Sequence, residues 1–506
     1  MRRPLVMSAM AWAVLAALLV VAAVAAGGDQ PAGGAATRTT QPTRRTLPAG
    51  PIDSATLRER VGTPGIRRHL EALAAIAAGN GGNRAAGSPG DRASADYVVG
   101  QLRAAGYQPR TEPVTVSGFT ARRAELVLTG GPGPALAAGR DYELAQFSPS
   151  GRADAPVAAV DLRLPPGGAA STSGCQASDF AGFPRGAVAL LQRGSCTYRV
   201  KASAAERAGA SAVLVFNEGQ AGRRDLVPAT LGGPGVGIPT FSLTFAAGER
   251  LARLGELARV RLAADTAVQT LQTRNVLAEL PGSHPERVVM VGAHLDSVPT
   301  GPGLNDNGSG SATLLELARA MAGTRPKPTI RFAWWGAEEL GLVGSTRYVE
   351  GLADAEVRRI ALYLNLDMVA SPNFARLVYD PAGAPPGSAA VADVLTGWFA
   401  SQRLASELVG FGSRSDHAPF RARRIPVGGL FSGAEGDKSR AQAAGAGGRA
   451  GQPFDACYHR ACDDLDNIDP TGLDQLADAA AHALATFAAG TEAVDRQRAT
   501  GGGSNG

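Results

Sequence analysis

Lysine is almost missing from this chain: Lys201, Lys327 and Lys438 are the only three, so the net charge of +5 over 506 residues is carried by arginine. Those arginines are scattered, usually near an Asp or Glu, with no Lys/Arg block and no interleaved aromatics. A nucleic-acid surface needs a concentrated basic face, so that class is set aside. Cysteine occurs only four times, and neither sequence-local pair has the C-x-x-C spacing that would support a zinc finger. Internal repeats are absent too. The 65 glycines and 33 prolines follow no period, which excludes collagen-like and low-complexity readings. Against these absences stands a 44% hydrophobic content with 19% charge, enough for a sizeable core and too apolar for wholesale disorder. The length suits two or three domains.

One long apolar run exists, Leu5 to Ala26, behind Arg2 and Arg3 and ending in small residues such as Ala23 and Ala25. That is the pattern of a secretory leader, expected over 1–26, with a flexible linker or propeptide over 27–52. Roughly 20 apolar residues also span a bilayer, so an uncleaved anchor facing outside is the alternative, and only then is a membrane a partner. Export places the cysteines in an oxidising compartment, where four allow two disulfides in three pairings. The local pairs Cys175 with Cys196 and Cys457 with Cys462 cost least, and four separate buried thiols are the other possibility.

Apolar residues recur at helical spacing from Ser54 to Ala78 (Leu57, Val61, Ile66, Leu70, Leu73, Ile76), broken at Pro64-Gly65. A second helix carries Ala95, Val98, Val99 and Leu102, with Asp91 as its expected cap and Gly106 as its stop. Gln108 to Val116 alternates like a strand. From about 121 to 265 short β-rich runs alternate with Gly/Pro turns around one helix, Tyr198 to Ala208. There the stretches GAVALLQRGSCTY (Gly186–Tyr198) and GASAVLVFN (Gly209–Asn217) resemble a protease-associated (PA) domain, a module that implies a lid or docking surface rather than catalysis. From Gln272 strand-length apolar runs alternate with helices: Val288–Ala293, Thr329–Trp335, Ile360–Leu366 and Pro426–Leu430, then a last helix Asp474–Ala489. Such alternation predicts an α/β fold with a mixed, largely parallel sheet flanked by helices on both faces.

In an open α/β sheet the cleft lies beyond the carboxyl ends of the strands, and here those ends carry metal-capable groups. The first run leads into His294 and Asp296; residues two apart share a face, so the histidine can ligate while Asp296 steadies it from behind. A Gly/Asn loop then places Asp306 at its apex. The next strand ends in Glu338-Glu339, two adjacent carboxylates that are costly to bury unless a cation or proton is shared. At an extended strand end their side chains diverge, so one can bind metal while the other faces water. Asp367 follows the third strand, and His459 sits between Cys457 and Cys462. Together His294, Asp306, Glu339, Asp367 and His459 can hold two Zn²⁺ with Asp306 shared, leaving Glu338 as base. His69, His284 and His482 read as structural.

VGAHLDSV (Val291–Val298), GLNDNGSG (Gly303–Gly310), AEELGLVGS (Ala337–Ser345), NLDM (Asn365–Met368) and CYHRAC (Cys457–Cys462) resemble, in this order, the M28 family of co-catalytic zinc aminopeptidases. GLFSGAE (Gly429–Glu435) is similar to secreted actinobacterial members. The resemblance implies a peptidase domain in two parts, 53–120 and 266–492, interrupted by a PA insertion at 121–265 and followed by a flexible tail at 493–506. It implies that His294 and Asp367 bind one zinc and Glu339 and His459 the other, with Asp306 bridging. Glu338 becomes the general base, Tyr458 a donor to the tetrahedral oxyanion, and Arg414 and Phe431 substrate-holding residues. Asp474 and Asp478 fall where some relatives place a calcium ligand, though two Asp at i, i+4 also make a solvated helix face. The implied function is a secreted aminopeptidase acting on peptide or protein N-termini, with large apolar N-terminal residues preferred. The rivals are a carboxypeptidase or dipeptidase on the same scaffold, a glutaminyl cyclase-like enzyme with one zinc, and a non-catalytic PA-containing binding protein.

Overall fold

The computed structural model describes residues 50–501 except 168–169, 221 and 411. The expected leader and almost all of the 27–52 spacer lie outside the described residues. Among the described residues no helix is long and apolar enough to cross a membrane.

Helices Ser54–Arg60 and Thr63–Gly79 come first, with Pro64 in the first turn of the second, where its missing N–H would have had no partner anyway. Helix Pro89–Ala104 begins earlier than expected. Ser88 is its cap, while Asp91 is buried in the first turn and accepts the Gly87 N–H at 2.8 Å. The chain then lays down β1 (Arg110–Gly130), β2 (Tyr142–Leu144), β3 (Gly151–Ala159), β4 (Val188–Gln192), helix Tyr198–Arg207, β5 (Ala212–Phe216), β6 (Thr240–Leu243), helix Phe245–Leu254 and β7 (Arg259–Leu280). After β7 come β8 (His284–His294), helix Gly310–Met321, β9 (Pro328–Trp335), helix Val343–Glu350, β10 (Ile360–Leu366), β11 (Leu377–Tyr379), helix Ser388–Ser401, β12 (Glu407–Val409), helix His417–Ala422, β13 (Val427–Phe431) and helix Pro470–Ala489. Strands β11 and β12 have three residues each, too few to show a period in the sequence.

The hydrogen-bonded order is β12-β11-β13-β10-β8-β9-β7, continuing through β7 into β3-β4-β5-β6-β2. Strands β13, β10, β8 and β9 are mutually parallel, as are β3 to β6, and the remaining pairings are antiparallel except β11 with β12. β1 pairs antiparallel with β7 along almost its whole length, Arg110 opposite Leu277 and Gly130 opposite Arg259. Residues 121 and 265 therefore fall inside two continuous strands, and a ribbon of backbone hydrogen bonds, in place of a loose linker, joins the inserted sheet to the larger one.

Both faces of the larger sheet are covered. Val289, Val291, Phe332, Trp334, Leu362 and Leu364 point into one core with Leu70, Leu314, Leu395 and Leu484 from the helices. Val288, Met290, Ala333, Trp335 and Tyr363 point the other way, onto Tyr348 and Phe420. This double burial is why β9 and β10 are buried at every position and read as nearly continuous apolar runs, interrupted by Arg331 and Asn365, rather than alternating ones. The expected tail from 493 is helical as far as Gly501. Val494 is buried, Gln497 accepts the Ala390 N–H at 3.0 Å and Asp495 pairs with Arg287, so packing overrides a polar composition. Asp474 accepts the Thr63 hydroxyl at 2.7 Å and Asp478 pairs with Arg58 at 3.3 Å. These carboxylates clamp the first helices to the last long one, and among the described residues neither belongs to a group of three or more donors converging on one point.

Both disulfides form between the local pairs: Cys175–Cys196 and Cys457–Cys462, and no described cysteine is free.

Candidate functional site

His294 is the last residue of β8, Glu338 and Glu339 follow β9, Asp367 follows β10 and Phe431 ends β13. All lie at the carboxyl edge of the parallel strands, where the sheet cannot satisfy them and the crossovers leave a cleft. Asp306 arrives from the loop between β8 and the helix Gly310–Met321. Gly303 enters that loop at φ +62, and a Cβ there would stand 2.4 Å from the Asp306 carbonyl oxygen. Gly310 leaves it where a Cβ would stand 2.3 Å from the Leu366 carbonyl. The loop is thus pressed against the end of β10 as only glycine permits.

The side chains expected to work together do meet. The Nε2 of His294 is 3.2 Å from Asp306 Oδ1 and 3.3 Å from Asp367 Oδ1. On the far side, His459 Nε2 is 3.1 Å from Asp306 Oδ2 and 3.2 Å from Glu339 Oε2. Asp306 therefore presents one oxygen to each imidazole. Glu338 Oε2 lies 3.9 Å from His294 Nε2. Among the described residues, three groups of His and carboxylate donors converge closely enough to hold a cation: His294/Asp306/Asp367, His294/Glu338/Glu339 and Asp306/Glu339/His459. Tyr458 stacks its ring on His459 at 3.9 Å and, with Arg414 and Phe431, lines the same pocket of about 140 Å³. Arg414 also pairs with Glu435 at 2.8 Å.

Glu338 and Glu339 do not sit on an extended strand end as expected. Ala337 adopts φ +58, so the chain turns, and both glutamate N–H groups donate to the buried Asp296 carboxylate, at 3.1 and 3.3 Å. Asp296 does back His294, through its carbonyl oxygen 3.1 Å from Nδ1, and in addition it fixes the glutamate turn.

Several supporting residues escaped the sequence reading. Asp463, next to the second disulfide, accepts the Asn305 and Asp306 N–H groups at 2.8 and 3.0 Å and so holds the loop apex. Asn307 donates to Leu366 O at 2.9 Å and accepts the Met368 N–H at 3.2 Å, stapling the loop to the end of β10. Ser415 donates to Asp367 Oδ2 at 2.5 Å and receives the Asn365 amide at 2.7 Å. The buried Arg84 guanidinium is spent on the carbonyls of Leu295, Pro302 and Gly303, shaping the same loops. Asp416 is wholly buried behind the site. The run NDN was legible as a loop, but nothing local reveals that Asp463 or Arg84, each more than 150 residues away in sequence from Asp306, closes on it.

This crowding decides what the site can take up. Burial, then the carboxylates around it (Glu339, Asp416, Asp367), pushes Glu338 well above the usual carboxylate range. Burial and the neighbouring Asp306 raise Glu339 to about 7, and burial raises Asp416 and Asp463 to about 7 as well. Oε1 of Glu339 is buried without a hydrogen-bond partner. The one buried arginine nearby already donates to carbonyls. Such a surplus of carboxylate is stable only with protons or cations in it, and a set of two imidazoles and several carboxylates has the N/O donor chemistry that zinc accepts. The residues present fit the metal.

Comparison with known proteins agrees with this geometry. Residues 275–484 match the model of Peptidase family M28 and residues 154–251 that of the PA domain. An aminopeptidase of Pseudomonas aeruginosa is 42% identical over 446 residues, 86% of this chain and 83% of that one. The aminopeptidase from Aneurinibacillus sp. strain AM-1 superimposes with a TM-score of 0.70 at 27% identity, covering 86% of this chain and 96% of its own. A zinc aminopeptidase from Bacillus subtilis gives 0.56 at 25% identity, over 87% and 96%. The chain thus belongs to peptidase family M28, and it is a zinc metalloaminopeptidase with an inserted PA domain.

Proposed function

We propose that the site holds two zinc ions, with His294 and Asp367 on one, Glu339 and His459 on the other and Asp306 between them. The observation that carries this is the split of the Asp306 carboxylate, one oxygen 3.2 Å from His294 and the other 3.1 Å from His459. Bound zinc would supply Lewis-acid polarisation of the scissile carbonyl and lower the pKa of attacking water.

The chain's own residues do the rest. Glu338, raised by burial and by its carboxylate neighbours, takes a proton from water at its carboxylate and delivers it to the leaving amine. The Tyr458 hydroxyl donates to the oxygen on which charge develops; burial first, then Asp306 and Glu339, pushes it well above the usual phenol range, so it stays protonated and able to donate. The carboxylates around the pocket attract a free α-ammonium. Met368, Val409, Phe431 and Ala434 give the pocket an apolar side, which favours a large apolar N-terminal residue. Secretion is supported by the leader pattern over 1–26 and by the two disulfides, which persist in oxidising surroundings.

The test is hydrolysis of a leucyl chromogenic amide by the purified mature protein, with the amine free or acetylated, before and after chelation. Cleavage of the free amine alone, lost with the metal and restored by zinc at two ions per chain, is the expected result. Equal cleavage of the acetylated substrate would overturn the N-terminal recognition, and full activity at one ion per chain would overturn the paired site.

A further inference from the structure

Beside the zinc pocket a second cavity of about 700 Å³ opens between the peptidase and the PA insertion. The β1–β7 ribbon forms its floor at Ser117 and Thr270, the turn at Glu339 and Arg347 behind it form one wall, and the PA domain forms the other at Arg199 and Pro234. Glu339 lines both cavities, so they share a wall. The zinc pocket has about a fifth of that volume, room for one residue rather than an extended peptide. Everything beyond the scissile bond must then lie outside it. The leaving amine has to come within hydrogen-bond reach of Glu338, and the residue after Glu338 borders the larger cavity.

The charges in this cleft are unbalanced. Among the described residues that line it, Glu339 is the only carboxylate. Arg347 is exposed and makes no ion pair among the described residues. Arg199 donates to the carbonyls of Leu231, Gly233 and Pro234 at 2.7, 2.6 and 3.2 Å, which fixes the PA loop while its positive charge stays uncompensated. A polar, cationic cleft continuous with the exit side of an aminopeptidase pocket suits one ligand, the substrate chain itself.

Resting on the aminopeptidase reading above, we infer that this cleft binds the polypeptide downstream of the scissile bond, and that Arg347 favours acidic side chains there. The PA domain is then a working wall of the substrate site. Two variants outside the catalytic machinery test it: Arg347→Glu, which reverses the charge, and Thr270→Trp, which fills the floor from an exposed strand position that tolerates an aromatic. Each is assayed on a leucyl chromogenic amide and on two leucyl octapeptides carrying either Asp or Lys at the third to fifth positions. Both variants should leave the amide unchanged. Arg347→Glu should lower kcat/KM for the Asp peptide about fivefold through KM, as an exposed ion pair would, and not for the Lys peptide. Thr270→Trp should slow both octapeptides. Equal kcat/KM for the two peptides in the wild type, together with no effect of either variant, overturns the proposal. A wild type that cleaves neither the amide nor the peptides counts instead against the reading of the catalytic site. Fluorescence anisotropy of the labelled Asp peptide on Glu338→Gln then still reports on the cleft: binding weakened by Arg347→Glu supports it and binding indifferent to that change overturns it.

Discussion

Two parallel sheets share strand β7, and their carboxyl ends are furnished differently. In the PA insertion the strand ends carry Gln192 and Asn217, whose amides are spent on backbone: Gln192 on Glu218 O at 2.9 Å, Asn217 on Asp225 O at 2.9 Å. Among the described residues there, the buried carboxylate is Glu218, and Arg223 pairs with it at 2.8 Å. In the peptidase sheet the equivalent positions carry His294, Glu338, Glu339 and Asp367, and among the described residues no arginine or lysine makes an ion pair with these carboxylates. Parallel strands buried on both faces build either kind of edge equally well. What separates a wall from an active site is whether the polar groups at the edge are paid for by the protein or left for a cation, a proton or a substrate.

The largest way to break this contrast is Glu338→Gln. It should lower kcat by about 10²- to 10⁴-fold while zinc content, read by elemental analysis, stays at the wild-type level; retained turnover would remove Glu338 from the base role. The disulfides sharpen the comparison next, since one lies in each region. Cys457 and Cys462 enclose Tyr458 and His459 in a loop with a sequence separation of 5. Changing both to Ser frees His459, the ligand proposed above, and should weaken zinc affinity about tenfold, measured by competition with a chelator. Changing Cys175 and Cys196 to Ser opens a loop with a separation of 21. That should cost about 3 kcal/mol of stability in the PA transition on urea unfolding and leave leucyl-amide turnover untouched. Equal loss of activity in both double variants would erase the distinction.

A further effect concerns pH. Lys201 is buried in the PA domain, donates to the Ser173 carbonyl, and is lowered by burial from 10.5 to about 8. A lysine that loses its proton earlier in the folded state makes folding more favourable as pH rises between those two values, and burial penalises it fully below 8. Wild type should therefore gain stability over Lys201→Met as pH goes from about 8 to about 10.5, followed by PA-domain unfolding at several pH values. A flat difference would mean that Lys201 keeps its proton.

Much of this was legible in the chain itself because it is local. Apolar runs such as Ile360–Leu366 mark buried strands, and a metal-capable residue directly after each run marks the carboxyl edge. The strand Ile360–Leu366 matches its expected bounds to the residue, since its pattern and its ends are both contained within it. The places where the expectation failed depend on partners. Asp91 looked like a cap and is a buried acceptor, and the residues after 493 looked like a tail and dock through Val494. The strands at 110–130 and 259–280 looked broken and run on because each is the other's hydrogen-bonding partner.

By itself, then, the sequence determined the class of fold, the identity of the metal-capable side chains and their order along the strands, because periodicity and strand-end chemistry are written within a few residues. Tertiary structure alone decided that Asp306 divides its oxygens between two histidines, that Asp463 and Arg84 brace its loop, and that Glu339 stands between a residue-sized pocket and the PA cleft. Those arrangements are set by loops meeting from distant parts of the chain, where burial and the mutual repulsion of carboxylates fix each position only once every neighbour is in place.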